Sequence, residues 1–323
     1  VMKHIRIIMA IATIVFCMAV SNSAEAGDIY IQRVADAIGP AIADFVVKGI
    51  AEADAQGAAC LILELDTPGG LVESMRKIVM AMYAAQTPIV VYVSPSGARA
   101  ASAGVMITMA ADIAAMAPGT NIGAAHPVGG GGQEIGETMA EKVTNDLVAF
   151  VKGIAEKRGR NAEWAEKAVR ESVSVTEKEA LEQKVIDVVA NDVDDLIRQI
   201  DGREIVDKGT LQLDGAGRQE IQESFRTKIL KTISNPNIAY LLMMLGLAGI
   251  YFELSHPGTI FPGVIGGIAL VLAFFSFQTL PVNYAGVLLI VLAIVFFVME
   301  MKITSFGLLS VAGVVSLFLG CLL

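Results

Sequence analysis

Ser102 stands in the run Ala98-Arg99-Ala100-Ala101-Ser102-Ala103-Gly104, among small residues and shortly after the apolar stretch Ile89 to Val93. Upstream, Asp66-Thr67-Pro68-Gly69-Gly70 closes a second apolar stretch, Ala58 to Leu65. A serine at the start of a helix, facing a Gly-Gly turn, is what acyl transfer needs. The hydroxyl is the nucleophile, small neighbours let a peptide backbone approach, and the turn aims a backbone N–H at a developing oxyanion. Both segments also read as ordinary strand-to-helix turns, where glycine and serine are common.

The elements that position these residues alternate strand and helix. Ile29 to Val34 reads as a strand, and Pro40 to Gln56 as an amphipathic helix with Phe45, Val46 and Ile50 on one face. Ala58 to Leu65 and Ile89 to Val93 are almost wholly apolar, the mark of strands buried on both faces. Leu71 to Ala85 and Ser102 to Ala110 read as helices and Ile113 to Met116 as a short strand. After the loop Gly129 to Gly132 come a long helix, Lys142 to Arg158, and a capping box at Thr176-Glu177-Lys178-Glu179. Lys184 to Val189 reads as a last strand. Repeated βαβ units imply an α/β fold with a parallel sheet. Periodicity alone leaves a spiral and a Rossmann-like sheet both open.

The hydrophobic fraction of 54% and mean hydropathy of +0.61 exceed those of an ordinary soluble protein. The excess lies at the two ends. Lys3 and Arg6, the apolar run Ile7 to Val20 and the site Ala24-Glu25-Ala26 read as a signal peptide over residues 1–26. Leu254 to Met299 and Ile303 to Leu323 contain no Asp, Glu, Lys or Arg. We read four hydrophobic segments, about 238–254, 263–280, 284–299 and 304–323, as a transmembrane region over 237–323, the first of them marginal in length and open to a re-entrant reading. Residues 27–200 are then a soluble domain and 201–236 a connector holding one strand pair and a short helix. The net charge of −9, without a basic run, speaks against a nucleic-acid partner. Cys17, Cys60 and Cys321 offer no disulfide pair and no metal spacing. No phosphate-binding glycine pattern is present, so no cofactor is expected.

The motifs DTPGGLVESM, GARAASAGVMITMAAD and APGTNIGAAHP, in this order and spacing, resemble the membrane-bound ClpP-class serine proteases of the NfeD family. The resemblance runs from about Asp28 to Leu323. It implies a ClpP/crotonase-like spiral of βαβ units followed by a helical transmembrane region. It also implies an oxyanion hole built from the N–H groups of Gly70 and Ala103. Longer members of that family carry a small OB-like β-barrel after the membrane region; Leu323 ends this sequence before one.

Two residues compete as the base for Ser102. Lys142, in Glu141-Lys142-Val143-Thr144-Asn145, matches the K-[VI]-T-N context of the Ser–Lys dyad in the NfeD proteases. A lysine serves as a base once desolvation disfavours its ammonium form; otherwise Lys142 is a surface residue at a helix start. His126, before Pro127-Val128-Gly129-Gly130, resembles the catalytic His of the soluble ClpP proteases, and imidazole is the commoner base at neutral pH. A triad would also need a carboxylate such as Asp187 or Glu171. Lys142 is the preferred base because its flanking residues match the membrane branch. Asp66 is read as capping the following helix or holding the turn, without a catalytic role, Arg99 as pairing at a subunit contact or solvated, and Trp164 as packing.

The expected function is an ATP-independent serine endopeptidase, multi-pass in the membrane, with its protease domain periplasmic or extracytoplasmic. Lys302 then falls on the cytoplasmic side, as the positive-inside rule prefers, although Arg226, Lys228 and Lys231 oppose that orientation. The resemblance implies stomatin- or prohibitin-like membrane proteins as substrates or partners, beside membrane lipid and a homo-oligomer. The alternatives are a non-catalytic membrane scaffold, a Ser-His protease using His126, and a crotonase-type acyl-CoA enzyme. The last fits the fold but not the membrane region.

Overall fold

The computed structural model describes residues 27–128, 136–233, 235–256, 260–277, 284–300, 303 and 305–322. Strand β1 (Ile29–Ala35) is followed by helix α1 (Pro40–Gln56), with Pro40 in its first turn, where a missing N–H costs nothing. Next come β2 (Cys60–Asp66), α2 (Val72–Ala84), β3 (Ile89–Val93), β4 (Arg99–Ala101), α3 (Ala103–Ala110), β5 (Ile113–Met116) and β6 (Asn121–Gly123). Then follow α4 (Glu137–Lys157), α5 (Ala162–Arg170), β7 (Ser174–Thr176), α6 (Glu177–Glu182), β8 (Val188–Val189) and α7 (Val193–Ile200). The remainder is β9 (Glu204–Ile205), β10 (Gly209–Thr210), β11 (Arg218–Ile221), α8 (Phe225–Ile233), α9 (Pro236–Ser255), α10 (Phe261–Phe277), α11 (Tyr284–Glu300) and α12 (Leu308–Leu322).

Six strands form one sheet in the order β11-β1-β2-β3-β5-β8, and every pairing in it is parallel. The near-continuous apolar runs of β2 and β3 follow from cover on both faces. Leu61, Leu63 and Leu65 point into one core with α1 to α5, whereas Cys60 and Ile62 point into a second with Leu196, Ile200, Leu211 and Leu213. The α/β architecture with a parallel sheet and a following helical region is the expected one.

A second, three-stranded sheet, β4-β6-β7, lies apart from the first. Sequence patterning does not reveal it, because strands of three residues carry no measurable period. The capping box is present: Thr176 N–H donates to Glu179 Oε2 at 2.9 Å and Glu179 N–H to Thr176 Oγ1 at 3.5 Å. Two local expectations shift. The strand read over Lys184 to Val189 shrinks to Val188–Val189. Helix α4 begins at Glu137, so Lys142 sits in its second turn. The loop Gly129 to Gly132 and the signal peptide lie outside the described residues.

Residues 201–236 pack onto the domain before them. Their hairpin β9-β10 places Lys208 Nζ 2.8 Å from Asp112 Oδ2. The Asp112 side chain is fully buried, also accepts the Ile89 N–H at 2.8 Å and lies 2.6 Å from the Arg158 guanidinium. Strand β11 then completes the main sheet beside β1. Asn235 caps α9 by accepting the Asn237 N–H at 2.9 Å, so the Asn-Pro step opens the apolar helices. By length and composition Asn237–Ser255 is the candidate membrane span among the described residues; Phe261–Ser276, Leu288–Glu300 and Leu308–Gly320 are shorter apolar helices.

Candidate active site

Ser102 is the residue before the first turn of α3, and its backbone is at φ 52°, ψ −113°. Only glycine enters that region freely, and other residues persist there when their surroundings hold them. Two hydrogen bonds supply part of the hold. Ser102 N–H donates to the Gly123 carbonyl at 3.0 Å, and the Ser102 carbonyl accepts from Val105 N–H at 3.0 Å. The sharp strand-to-helix turn puts the hydroxyl outside the helix, half-buried, at the positive end of α3.

The Gly-Gly turn is built against this serine. Thr67 is fully buried; its N–H donates to the Arg99 carbonyl at 2.8 Å and its carbonyl accepts from Ala101 N–H at 3.1 Å. Its hydroxyl donates to Gly69 O and accepts from Gly69 N–H, both at 3.1 Å. Gly104 packs on Thr67: a Cβ there would stand 2.8 Å from the threonine methyl. Asp66 accepts the Arg99 N–H at 3.1 Å, which ties the end of β2 to β4.

Gly70 is clamped on its other side. Ile38 N–H donates to Gly69 O at 2.7 Å and Leu71 N–H to Ile38 O at 2.9 Å. A Cβ on Gly70 would stand 2.3 Å from the Ile38 carbonyl oxygen, so no other residue fits. These bonds use the atoms flanking Gly70. As the first residue of α3, Ala103 has one of the N–H groups that no turn of the helix satisfies. Gly70 and Ala103 thus stand on the two chain segments that Thr67 ties together.

The two candidate bases are placed differently. Lys142 is exposed and lines a cavity of about 390 Å³ with Val72, Glu73, Arg76, Val143, Asp146 and Leu147. Val72 is the first residue of α2, two positions after Gly70. The lysine therefore faces the helix that the Gly-Gly turn starts, and it is not buried as an amine base requires. His126 is also exposed. Its Nδ1 lies 2.9 Å from the Val169 carbonyl, which makes Nδ1–H the donor and leaves Nε2 as the free acceptor. Asp187 is engaged elsewhere: it accepts from Ala114 N–H at 2.7 Å and from Arg160 at 2.5 Å. Glu171 is an exposed residue at the end of α5.

Trp164 is buried in the main core, as a packing residue. Arg99 is exposed, and no ion pair of its side chain is found among the described residues. One link was not legible in the sequence. Lys231 of α8 lies 3.1 Å from Asp36 and 3.1 Å from Glu223. Partial burial works against its ammonium, but the two carboxylates outweigh that and hold its pKa above the ordinary lysine value.

The family model described as NfeD1b, N-terminal domain, matches residues 28–199, and that of the NfeD integral membrane domain matches residues 237–323. Over 301 residues the chain is 36% identical to membrane-bound protease PH1510 of Pyrococcus horikoshii, covering 91% of this chain and 68% of that protein. It is 28% identical over 284 residues to membrane protein NfeD1b of Bacillus subtilis, covering 84% of this chain and 63% of the relative. Among solved structures, a serine-to-alanine variant of the 1510-N membrane-bound stomatin-specific protease matches with a TM-score of 0.58 at 34% identity, covering 61% of this chain and 99% of that one. A lysine-to-alanine variant of the same protease, in complex with a substrate peptide, matches with a TM-score of 0.60 at 34% identity, covering 64% and 97%. With its Ser102 turn, its parallel sheet and its four apolar helices accounted for together, the chain belongs to the NfeD family, a serine protease domain joined to an NfeD integral membrane domain.

Proposed function

We propose that this chain is a membrane-anchored, ATP-independent serine endopeptidase working through a Ser102–Lys142 dyad. Ser102 Oγ attacks the scissile carbonyl and passes its proton to the Lys142 amine. The N–H groups of Gly70 and Ala103 take the oxyanion of the tetrahedral intermediate. The protonated lysine returns the proton to the leaving amine, and water then releases the acyl group from Ser102 by the same steps. The single observation that carries this reading is the strained backbone of Ser102, held against a glycine turn that tolerates no side chain.

The exposure of Lys142 fits a substrate-assisted base. Its cavity has an apolar side made by Val72, Val143 and Leu147. An apolar substrate segment laid over that side removes water from Lys142 and favours the neutral amine. The relative supports the pair: the serine and lysine replaced in its two variants are spaced almost as Ser102 and Lys142 are. The substrate class follows from it as well, since 1510-N is described as specific for a stomatin homologue. The substrates are hydrophobic, membrane-adjacent segments of stomatin- or prohibitin-like proteins. The chain crosses the membrane four times with the protease domain outside the cytoplasm, and works as a homo-oligomer.

A second reading rests on the Nδ1 bond of His126, which presents the basic nitrogen that a His-based mechanism uses. Alanine variants of Lys142 and His126, assayed on a peptide from a stomatin-like protein, separate the two. The dyad requires loss at Lys142 and retention at His126; the reverse result replaces it with the histidine mechanism.

A further inference from the structure

We propose that residues 237–323 are one helical hairpin written twice, and that the two copies meet through the same face about a pseudo-twofold axis along the membrane normal. A shift of 47 residues lays Glu253 on Glu300, Gly266 on Gly313 and Val264 on Val311. Matching leucines in apolar helices are cheap coincidences; a matched carboxylate and a matched glycine are not. The same shift lays α9 on α11 and α10 on α12, and in each half the first helix packs along the second.

Burial repeats with the sequence. Gly266, Ala269 and Ala273 are buried, and so are their counterparts Gly313, Ser316 and Gly320. The contact they make repeats too. A Cβ on Gly266 would stand 2.9 Å from Ile250 N, and one on Gly313 would stand 2.8 Å from the Phe297 ring. Ile250 and Phe297 are themselves one repeat apart. Small residues at matched points let both pairs of helices approach closely. The turns repeat as well: Glu253 packs on Gly263, and Glu300 Oε2 accepts the N–H of Ser310, the counterpart of Gly263, at 3.2 Å.

The two hairpins meet across an apolar groove of about 300 Å³ lined by Leu247, Tyr251, Ile294, Val298 and their neighbours. Leu247 and Ile294 are counterparts, as are Tyr251 and Val298. Ala248 and Phe297 complete the lining without their counterparts, so the match covers four of its six residues. A groove lined mainly by the same positions from both copies is self-complementary, the property of a two-fold interface; a plain translation would bring unlike faces together. On the four-span reading α9 and α11 enter the membrane from the same side, so the two hairpins run in one sense. The axis then lies along the membrane normal, as in parallel repeats, and Glu253 and Glu300 mark one membrane face. The α9 face is therefore an interaction surface for a second copy of this hairpin, supplied within the chain by α11.

The choice of membrane face rests on the four-span reading above, but the pairing does not, and the experiment keeps them separate. The full chain, with its own cysteines replaced by alanine, carries Leu247→Cys with Ile294→Cys in native membranes. A short bis-thiol reagent should link this pair within one chain. The lipid-facing counterparts Leu245→Cys and Leu292→Cys should stay unlinked. Linking at the second pair alone, or linking only between chains, overturns the two-fold pairing. A membrane-impermeant thiol label should reach His256→Cys and Ile303→Cys from the same side; labelling from opposite sides makes the repeat an inverted one and overturns the axis. Loss or retention of peptidase activity does not enter either readout.

Discussion

Gly69 and Ser102 touch where only one of them has room for a side chain. A Cβ built on Gly69 would stand 2.6 Å from the Ser102 Cβ and 3.1 Å from its hydroxyl. Gly69 also has φ 121°, which a residue with a side chain adopts only under strain. Gly69→Ala should therefore displace the nucleophile and destabilise the fold by about 1–3 kcal/mol. Thermal unfolding and peptidase rates check both; an unchanged kcat/KM would separate the turn from the chemistry.

Ser102→Ala and Ser102→Gly should part company. Both remove the hydroxyl and should abolish turnover. The glycine variant adopts φ 52° without penalty, so it should be more stable than the alanine variant by about 1 kcal/mol. Equal denaturant midpoints for the two would mean that the serine backbone is unstrained.

Lys142→Ala should leave only what the oxyanion hole and binding supply, a residual rate about 10³–10⁴ above water. His126→Ala should retain most of the wild-type kcat. Steady-state kinetics on one peptide substrate, with circular dichroism as a fold control, decide between the bases.

Asp112 carries three partners in a fully buried place. Asp112→Ala would leave Arg158 and Lys208 facing each other without an anion, and should cost about 3–5 kcal/mol. Lys208→Met, which removes one partner and keeps the stem, should cost less. Urea unfolding measures both, and the ranking Asp112→Ala below Lys208→Met is the expected result.

Burial pushes the Cys60 thiol up to about 12. The unfolded thiol ionises near its ordinary value of about 8.5. The stabilisation from keeping it neutral is complete below about pH 8.5 and falls away as pH rises from there toward 12, because only the unfolded chain loses the proton. At pH 8 the folded protein should resist iodoacetamide at Cys60 and react once unfolded. Mass spectrometry of the alkylated peptide reads this directly.

Ser102 and the Gly-Gly turn were legible in the sequence because their meaning is local. A small-residue stretch after a buried strand, and a turn after another, already imply where a hydroxyl and an N–H will stand. The main sheet was legible for the same reason, since β2 and β3 are apolar on both faces. The base was not. Whether Lys142 is wet or dry depends on how α4 lies against α2, and that is set by Val143, Leu147 and Val72 together. Nor was the role of Arg218 to Ile221. This mostly exposed strand gains its place from pairing with β1, a partner almost two hundred residues earlier.

The contact between Lys231 and Asp36 gives helix α8 a line to the Gly-Gly turn. Asp36 is two residues from Ile38, and Ile38 holds both neighbours of Gly70 by backbone hydrogen bonds. Helix α8, which carries Lys231, ends at Ile233, shortly before Asn235 caps the first apolar helix. Helix α8 also packs on α1 of the protease domain and on α9 and α10, so it works as a strut between the two parts of the chain and not as a loose tether. A displacement of that strut has a short path of ion pair and backbone hydrogen bonds to the turn that faces Ser102.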